Sequence, residues 1–350
     1  MHTSGGETTF KTAQASSLET DFKVAVVIVN YNGGDYILSC LDSLYLQSRK
    51  PDEIIVVDNN STDGSPEKLA QRFPSVNLQV LDRNTGFAAA NNHAFELLRN
   101  NDPSCWVALL NPDTRPQADW LSKLMEAVSK NPEVDVFGSK LIWSEDNDIL
   151  DGQGDIHHVS GLSWRRHHGL RWKEALELRT SNEMAFSPCG AAALYRTDKV
   201  NEIGGMDKSY FCYHEDVDIM FRLRLVGATF VYVNDSVVEH VGSAITGKNS
   251  DFSVFYGHRN LVWTYIKNMP SWLFWLYLPQ HLLLNVLTIL IFSCKGRGKI
   301  ILKSKWEAVK GIPLAIRKRR VIQGQRTVSN AVIWRSLSKG WLKPYFFRRK

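Results

Sequence analysis

The feature that most constrains this chain is a regular alternation of apolar runs and amphipathic segments through its first 140 residues. Short apolar runs predict strands at residues 24–29, 53–57, 78–81 and 106–110. Apolar residues at helical spacing predict helices at residues 36–46, 65–73, 88–99 and 118–129. Because strands that alternate with helices form parallel sheets with crossover helices, we predict an α/β fold.

Small polar residues follow every predicted strand of this region. The strand tips read "NYNGG", "DNNSTDGS", "NTGFAAANN" and "NPDT" in chain order. Ligands of open α/β sheets collect outside the carboxyl ends of the strands, so four such tips predict a shared pocket. In the last tip, Pro112 ends the strand and leaves Asp113 at the sheet edge, where it either binds a ligand or starts a turn.

Charge is distributed unevenly along the chain. Residues 295–350 hold 17 Lys or Arg against one acid, Glu307, whereas the other residues carry 25 basic and 35 acidic side chains. This division predicts an acidic body with a basic tail that seeks an anionic surface. Aromatic residues between the tail's charges favour a membrane surface over nucleic acid, and we expect no nucleic-acid partner. These aromatic residues are Trp341, Tyr345, Phe346 and Phe347.

The segment Ser271–Cys294 is apolar and carries no charged residue over 24 positions. It is long enough to cross a bilayer core. A single crossing would put the basic tail opposite a cytosolic body, against the positive-inside tendency. Pro279 offers a break, so the sequence favours a re-entrant or interfacial helical pair at the cytoplasmic face of the cell membrane. A buried helix of a soluble core is the alternative.

Three shorter features complete this description. Five scattered cysteines without CxxC spacing predict reduced packing residues rather than disulfides or a zinc site. The N-terminal stretch is rich in Ser and Thr and lacks an apolar h-region, which predicts a disordered tail on a cytosolic protein. Residues 141–185 predict β-rich or irregular structure, in which the histidine pairs 157/158 and 167/168 are expected to be solvated surface.

In this order and spacing, "VAVVIVNYN", "EIIVVDNNSTDGS", "NTGFAAANN" and "LLNPDT" resemble the donor half of family 2 glycosyltransferases, which are inverting enzymes. Downstream, "PCGAAALYR", "FCYHEDVDIMFRLRLVGA" and "VVEHVGSAITG" are similar to the acceptor half. The resemblance is closest to rhamnosyltransferase-like members. It implies a nucleotide-sugar-binding (GT-A type) fold, with a mixed, mostly parallel sheet flanked by helices and a C-terminal membrane-associated helical appendage.

The resemblance also implies a division of the chain into three parts. Residues 1–22 form a disordered N-terminal tail. Residues 23–265 form the catalytic domain, with a donor half at 23–140 and an acceptor half at 141–265. Residues 266–350 form the apolar helical segment and the basic tail.

A metal site is implied by "NPD", which matches the family's Asp-x-Asp motif. Asp113 would be the direct ligand, while Asn111 replaces the first acid and offers only a neutral oxygen. His240 aligns with a histidine that completes the metal shell in some relatives. A sugar diphosphate leaves with negative charge, so the implied cofactor is Mg²⁺ or Mn²⁺.

A donor pocket is implied at the strand tips. Asp58 could accept hydrogen bonds from a base imide or a ribose hydroxyl, and Tyr31 could stack on a base. Gly190 lies in a small-residue loop that allows close approach of a sugar or pyrophosphate, although tight packing also accounts for it. The full implied set is Asn30, Tyr31, Asp58, Asn84, Gly86, Asn91, Asn111 and Gly190.

Inversion needs a base on the face opposite the leaving group. The resemblance places this base on Asp216, with Glu215 beside it at a helix start, where the dipole favours carboxylates. Clustered acids are expected to raise one another's pKa. Asp218 and Arg222, one turn apart, are expected to form a structural pair.

The sequence therefore predicts an inverting, metal-dependent enzyme that moves L-rhamnose from its thymidine diphosphate donor to a cell-surface glycan or polyprenyl-linked saccharide. A uridine diphosphate hexose or galactofuranose donor is the first alternative. A non-catalytic nucleotide-sugar-binding membrane scaffold is the second, and the intact Asp113 and Asp216 disfavour it.

Overall fold

A computed structural model describes residues 22–102, 105–177, 185–242 and 250–341. The strands are β1 (Val24–Asn30), β2 (Glu53–Asp58), β3 (Asn77–Val80), β4 (Trp106–Leu110), β5 (Thr114–Pro116), β6 (Val136–Trp143), β7 (Leu150–Gly152), β8 (Asp155–His157), β9 (Ser163–Arg165), β10 (Ala192–Arg196) and β11 (Phe230–His240). The helices are α1 (Gly34–Tyr45), α2 (Ser65–Arg72), α3 (Phe87–Asn101), α4 (Trp120–Lys130), α5 (Trp172–Glu177), α6 (Thr197–Glu202), α7 (Glu215–Leu225), α8 (Asp251–Asn268), α9 (Ser271–Cys294), α10 (Gly298–Lys310), α11 (Ile312–Gly324) and α12 (Asn330–Ser336).

Nine strands of the described chain form one mixed sheet in the order β3-β2-β1-β4-β10-β6-β11-β5, with β7 paired to β6. Strands β3, β2, β1 and β4 are parallel, and β11 is parallel to β6. Strand β10 runs antiparallel to both of its neighbours, β4 and β6. The mixed, mostly parallel sheet flanked by helices is therefore confirmed.

Strand β1 explains why the first half of the chain was predictable. All seven of its residues are buried, because helices cover both faces of the sheet. Val24, Val26 and Ile28 belong to one core cluster, together with residues of α1 and α4. The alternate residues Ala25 and Val27 belong to a second cluster with residues of α3 and α7. The four strands and four helices predicted here lie within about two residues of the observed bounds.

The irregular middle of the chain gives one correction. Strands β7, β8 and β9 are three residues each, as expected of a β-rich but weakly periodic segment. His157 and His158 are fully buried, so the prediction of solvated surface is wrong for this pair. Each ring makes a local hydrogen bond, since His157 Nδ1 lies 2.7 Å from Ser163 Oγ and His158 Nδ1 lies 2.9 Å from Ser160 Oγ.

The C-terminal part is a set of helices packed on α8 and on one another. Helix α9 is continuous through Pro279, so the predicted helical pair broken at this proline is wrong. A single stripe of α9 is buried, formed by Leu273, Gln280, His281, Leu284 and Thr288. Within the described residues, α9 is the one helix long and apolar enough to cross a membrane, and only 22% of its most apolar window is buried. It is therefore not the core helix of the alternative prediction.

Some predictions fall on residues that the structure does not describe. The N-terminal tail at residues 1–21 and the aromatic residues Tyr345, Phe346 and Phe347 lie outside the described residues. The five cysteines are described and unpaired, and Cys40, Cys105 and Cys189 are buried. The division into domains stays a prediction.

A buried charge network joins α7 to α8. Asp218 is 0% exposed and lies 2.9 Å from both Arg222 Nε and Lys267 Nζ, which confirms the predicted pair with Arg222. Asn268 Nδ2 donates to the same carboxylate at 2.8 Å, and Lys267 also contacts Asp207. Burial alone would raise the pKa of Asp218, but Lys267 and Arg222 outweigh it and lower the pKa. The network fixes the helix on which Asp216 stands.

We expect Asp218→Asn to lower the free energy of unfolding by about 3 kcal/mol, because it leaves buried cations short of a counter-charge. Urea denaturation followed by circular dichroism measures this loss. Asp235→Asn, at an exposed position, is the control and should change stability by less than about 0.5 kcal/mol. Equal stability of the two variants would contradict a stabilising role for the network.

Candidate active site

Asp113 lies where strand β4 has ended and strand β5 begins. The Asn111 amide donates to the Ala191 carbonyl at 3.0 Å, and Thr114 Oγ1 donates to the Asn111 carbonyl at 2.6 Å. Strand β5 pairs with β11 so that Thr114 is opposite His240. This register brings His240 Nε2 to 3.4 Å from Asp113 Oδ1, and both side chains are buried. The structure thus brings together the two predicted metal ligands.

Asp151, which sequence reasoning missed, holds the other side of His240. Its Oδ2 lies 2.6 Å from His240 Nδ1, and the same carboxylate contacts Arg165. Burial would lower the pKa of His240, but hydrogen bonds to Asp113 and Asp151 raise it above its ordinary value. Burial would raise the pKa of Asp151, but Arg165 and the histidines hold it well below its usual range.

This arrangement fits a divalent metal with few protein ligands. The described residues contain no group of three or more His, Cys, Asp or Glu side chains suited to a metal. Asp113 and His240 would supply one oxygen and one nitrogen, a pair that suits Mn²⁺ better than Mg²⁺, and the remaining ligands would come from water and substrate phosphates. Asp151 holds the His240 ring from behind, as carboxylates orient metal-bound histidines.

Asp216 stands in the first turn of α7. Its Oδ2 accepts a hydrogen bond from the Gly190 amide at 3.2 Å, and its Oδ1 accepts one from the Val217 amide at 2.8 Å. Ala191, which follows Gly190, accepts a hydrogen bond from the Asn111 amide at the tip of β4. The segment Gly190 to Ala191 therefore lies between the predicted base and the predicted metal motif, and it contacts both.

Glu215 differs from its neighbour in environment. It is 7% exposed, and its Oε2 is buried without a hydrogen-bond partner among the described residues. Burial, followed by the charge of Asp216, raises the pKa of Glu215 well above its ordinary value. The pKa of Asp218 is lowered instead, so the expectation that clustered acids raise one another's pKa holds for Glu215 and is wrong for Asp218.

Asp155 and Arg165 complete the cluster and were also missed. They lie opposite each other in the β8–β9 pair, and Asp155 is 7% exposed. Burial and the charge of Asp216 raise the pKa of Asp155 to about 8, while Arg165 opposes this rise. The run "DGQGD" at residues 151–155 was the sequence signal for these residues, because its glycines mark a close backbone approach. Gly154 adopts a φ of 78°, and a Cβ there would lie 2.7 Å from the Ser187 carbonyl oxygen.

Asp58 and Asn30 are predicted donor-pocket residues that organise a turn. Asp58 is 0% exposed and accepts from Asn30 Nδ2 at 2.7 Å, Ser61 Oγ at 2.7 Å and the Ser61 amide at 2.9 Å. Tyr31, one residue after Asn30, is 39% exposed and accessible to a ligand. Contact of these residues with a donor stays a prediction.

The remaining predicted donor residues hold the loop before α3. Asn84 Oδ1 accepts from Asn59 Nδ2 at 3.0 Å and from the Gly86 amide at 2.9 Å. Gly86 has a φ of 84°, and a Cβ there would lie 2.6 Å from the Phe211 carbonyl oxygen. Asn91 is buried and donates to the Phe87 carbonyl at 2.9 Å. These contacts are structural, and donor binding by the three residues stays a prediction.

The sequence model of glycosyl transferase family 2 matches residues 25–204, which is just over half of the chain. The chain belongs to glycosyl transferase family 2. This confirms the predicted family. N-acetylglucosaminyl-diphospho-decaprenol L-rhamnosyltransferase of Mycobacterium tuberculosis is 30% identical over 256 residues, which cover 69% of this chain and 82% of the relative. The rhamnosyltransferase-like character of this family 2 chain is therefore confirmed as well.

Two further comparisons support the assignment. Galactofuranosyltransferase GlfT1 of Mycolicibacterium smegmatis is 28% identical over 220 residues, which cover 59% of this chain and 67% of the relative. A crystal structure of GalNAc-T7 with UDP, GalNAc and Mn²⁺ is similar at a TM-score of 0.55 and 18% identity, over 74% of this family 2 chain and 51% of that one. At this identity the likeness shows the fold alone.

We expect Gly190→Ala to reduce glycosyl transfer about tenfold, since small displacements of a reacting group are costly. A Cβ at this position would lie 3.2 Å from Asp216 Cβ and 3.4 Å from its Oδ2. Steady-state kinetics and a thermal midpoint measure the effect. Gly257→Ala is the control, because a Cβ there meets nothing within 4 Å. Equal turnover of both variants would show that Gly190 does not position Asp216.

Glu215→Gln should remove part of the pH dependence of stability. A neutral Glu215 in the folded state means that the unfolded chain loses its proton first as the pH rises above about 4.3. The free energy of unfolding of the native protein should therefore fall, relative to the variant, by up to about 1.4 kcal/mol per pH unit from pH 5 upward. Denaturation curves at several pH values test this. A constant difference would show that Glu215 is ionised in the fold.

Proposed function

We propose that this family 2 member is an inverting glycosyltransferase that moves L-rhamnose from a thymidine diphosphate donor to a polyprenyl-linked saccharide. The observation that carries the proposal is the segment Gly190 to Ala191, which contacts Asp216 on one side and the Asn111 strand tip on the other. The similarity to a rhamnosyltransferase named for a diphospho-decaprenol acceptor supports the sugar and the acceptor.

Asp216 would take the proton of the acceptor hydroxyl as the new glycosidic bond forms. Two backbone amides fix its carboxylate, and the side chain is partly exposed, so it can reach a substrate. Glu215, neutral and buried behind it, would act as a supporting residue rather than as a second base.

Asp113 and His240 would hold Mg²⁺ or Mn²⁺, and Asp151 would keep the His240 ring in place. A bound divalent ion supplies positive charge to the diphosphate of the donor. Asn111 contributes a neutral amide where an acid would add a second negative charge. The implied donor pocket then extends from this pair towards Tyr31 and Asp58.

A uridine diphosphate galactofuranose donor is the second candidate, and the similarity to a galactofuranosyltransferase favours it. The two donors differ in the base methyl group and the ribose 2′-hydroxyl. Asp58, whose carboxylate oxygens already accept protein hydrogen bonds, gives no basis for choosing between the two bases. Donor choice therefore rests on the rhamnosyltransferase relative.

Membrane association at the cytoplasmic face is part of the proposal. Trp272 and Trp275 of α9 are 54% and 70% exposed, and the following helices are basic. The buried stripe of α9 runs from Leu273 to Thr288, so the helix lies against the protein over most of its length. A helix fixed in this way lies along a bilayer surface rather than across it. A polyprenyl-linked acceptor is presented at that same surface.

We expect Asp216→Asn to lower rhamnosyl transfer at least about 100-fold, because the amide cannot accept the hydroxyl proton. A radiolabelled-sugar assay with membrane acceptor measures transfer. Stabilisation of the variant by the donor with Mn²⁺, read as a thermal shift, should persist because Asp216 does not hold the donor.

Asp235→Asn is the matched control at an exposed carboxylate. Near-normal transfer by Asp216→Asn would rule out the proposed base. Transfer from the uridine donor, with none from the thymidine donor, would replace rhamnose by galactofuranose and leave the base assignment intact.

A further inference from the structure

A cavity of about 410 Å³ lies at the beginning of α9, lined by residues that the proposed reaction does not use. Its lining is cationic, with three arginines and no acid. The lining residues are Ser271, Ile316, Arg319, Arg320, Gln323 and Arg326. A cavity with this charge fits an anion.

The three arginines have no carboxylate partner among the described residues. Arg319 donates to the carbonyls of Ile266 and Met269, and Arg326 donates to Ser271 Oγ at 3.3 Å. Arg320 is exposed and makes no hydrogen bond or ion pair within the described part of the chain. Burial is the main cause of the lowered pKa of Arg319. Tyr265 opposes this change, and the charge of Arg326 adds to it. Like charges held close together without a counter-ion are stabilised by an anion between them.

Gln323 and the beginning of α9 add polar groups to the wall of the cavity. Gln323 Nε2 donates to the carbonyls of Lys267 and Asn268 at 3.2 and 3.0 Å, while its Oε1 is buried without a partner among the described residues. Ser271 begins α9 after Pro270, which provides no side-chain cap, so the positive helix end borders the cavity.

The position of the cavity selects a lipid as the source of the anion. Trp272 and Trp275, in the first turns of α9, are 54% and 70% exposed, and tryptophan is enriched at membrane interfaces. Ile316, on the cavity wall, is 42% exposed. Apolar and aromatic groups therefore border a cationic cavity, which matches the level of phospholipid headgroups.

We propose that this cavity binds the phosphate of an anionic phospholipid headgroup between its three arginines. Guanidinium groups suit phosphate because they offer paired donors with charge. The inference rests on the membrane association in the proposed function. It adds a specific headgroup site to what would otherwise be a general attraction between a basic surface and a membrane.

Flotation of the full chain with phosphatidylcholine vesicles, with and without phosphatidylglycerol, tests the site. Arg320→Gln should weaken binding to the anionic vesicles about 10- to 100-fold, the loss expected for a hydrogen bond to a charged group. Arg317→Gln is the matched control, since it removes an equally exposed arginine of α11 that does not line the cavity. It should weaken binding about fivefold, the effect of one surface charge.

Equal losses in the two variants would overturn the headgroup site while leaving membrane association in place. Failure of the native protein to float with either vesicle would overturn both the site and the proposed membrane association.

Inorganic phosphate separates the two sources of the anion. If millimolar phosphate raises the thermal midpoint of the native protein but not of Arg320→Gln, and cancels the difference between the variants in flotation, the cavity takes soluble phosphate and the lipid assignment is wrong.

Discussion

The antiparallel pairing of β10 with β4 is the constraint on which the rest of the site depends. Ala192, at the start of β10, is opposite Leu110, at the end of β4. The residues that enter β10 therefore lie at the carboxyl edge of the parallel strands, beside Asn111. A parallel β10 would have placed them at the other edge. Gly190 can then contact Asp216, so one reversed strand joins two parts of the chain about 100 residues apart.

Buried carboxylates at this edge lie in contact with basic side chains. His240 lies between Asp113 and Asp151, and Arg165 contacts Asp151 while opposing the raised pKa of Asp155. Isolated charges in this environment would be costly, whereas alternating charges offset one another. Glu215 makes no ion pair among the described residues, and burial, followed by the charge of Asp216, raises its pKa. The pKa values of Glu215 and Asp218, on the same helix, are therefore shifted in opposite directions.

How much could be predicted depended on periodicity. Strands β1 and β4 are fully buried and β2 is six residues long, and their residue patterns predicted both the elements and the polar tips that carry Asp58 and Asp113. Asp151, Asp155 and Arg165 lie on three-residue strands, which are too short for a period to show. Pro279 suggested a break because proline removes a helical hydrogen bond, but packing of the α9 stripe on the protein keeps the helix continuous. His157 was misjudged because the aromatic rings that pack against it, Phe186 and Phe221, lie far away in the sequence.

The headgroup cavity and the proposed base are joined by a short rigid path through the end of α8. Gln323, on the cavity wall, donates to the backbone carbonyls of Lys267 and Asn268. The side chains of these same two residues hold Asp218, which lies two positions after Asp216 on α7. Each of these links is a hydrogen bond or an ion pair, and Lys267, Asn268 and Asp218 are buried, which limits their freedom to move. The residues that border the proposed headgroup site therefore also hold the helix that carries the proposed base.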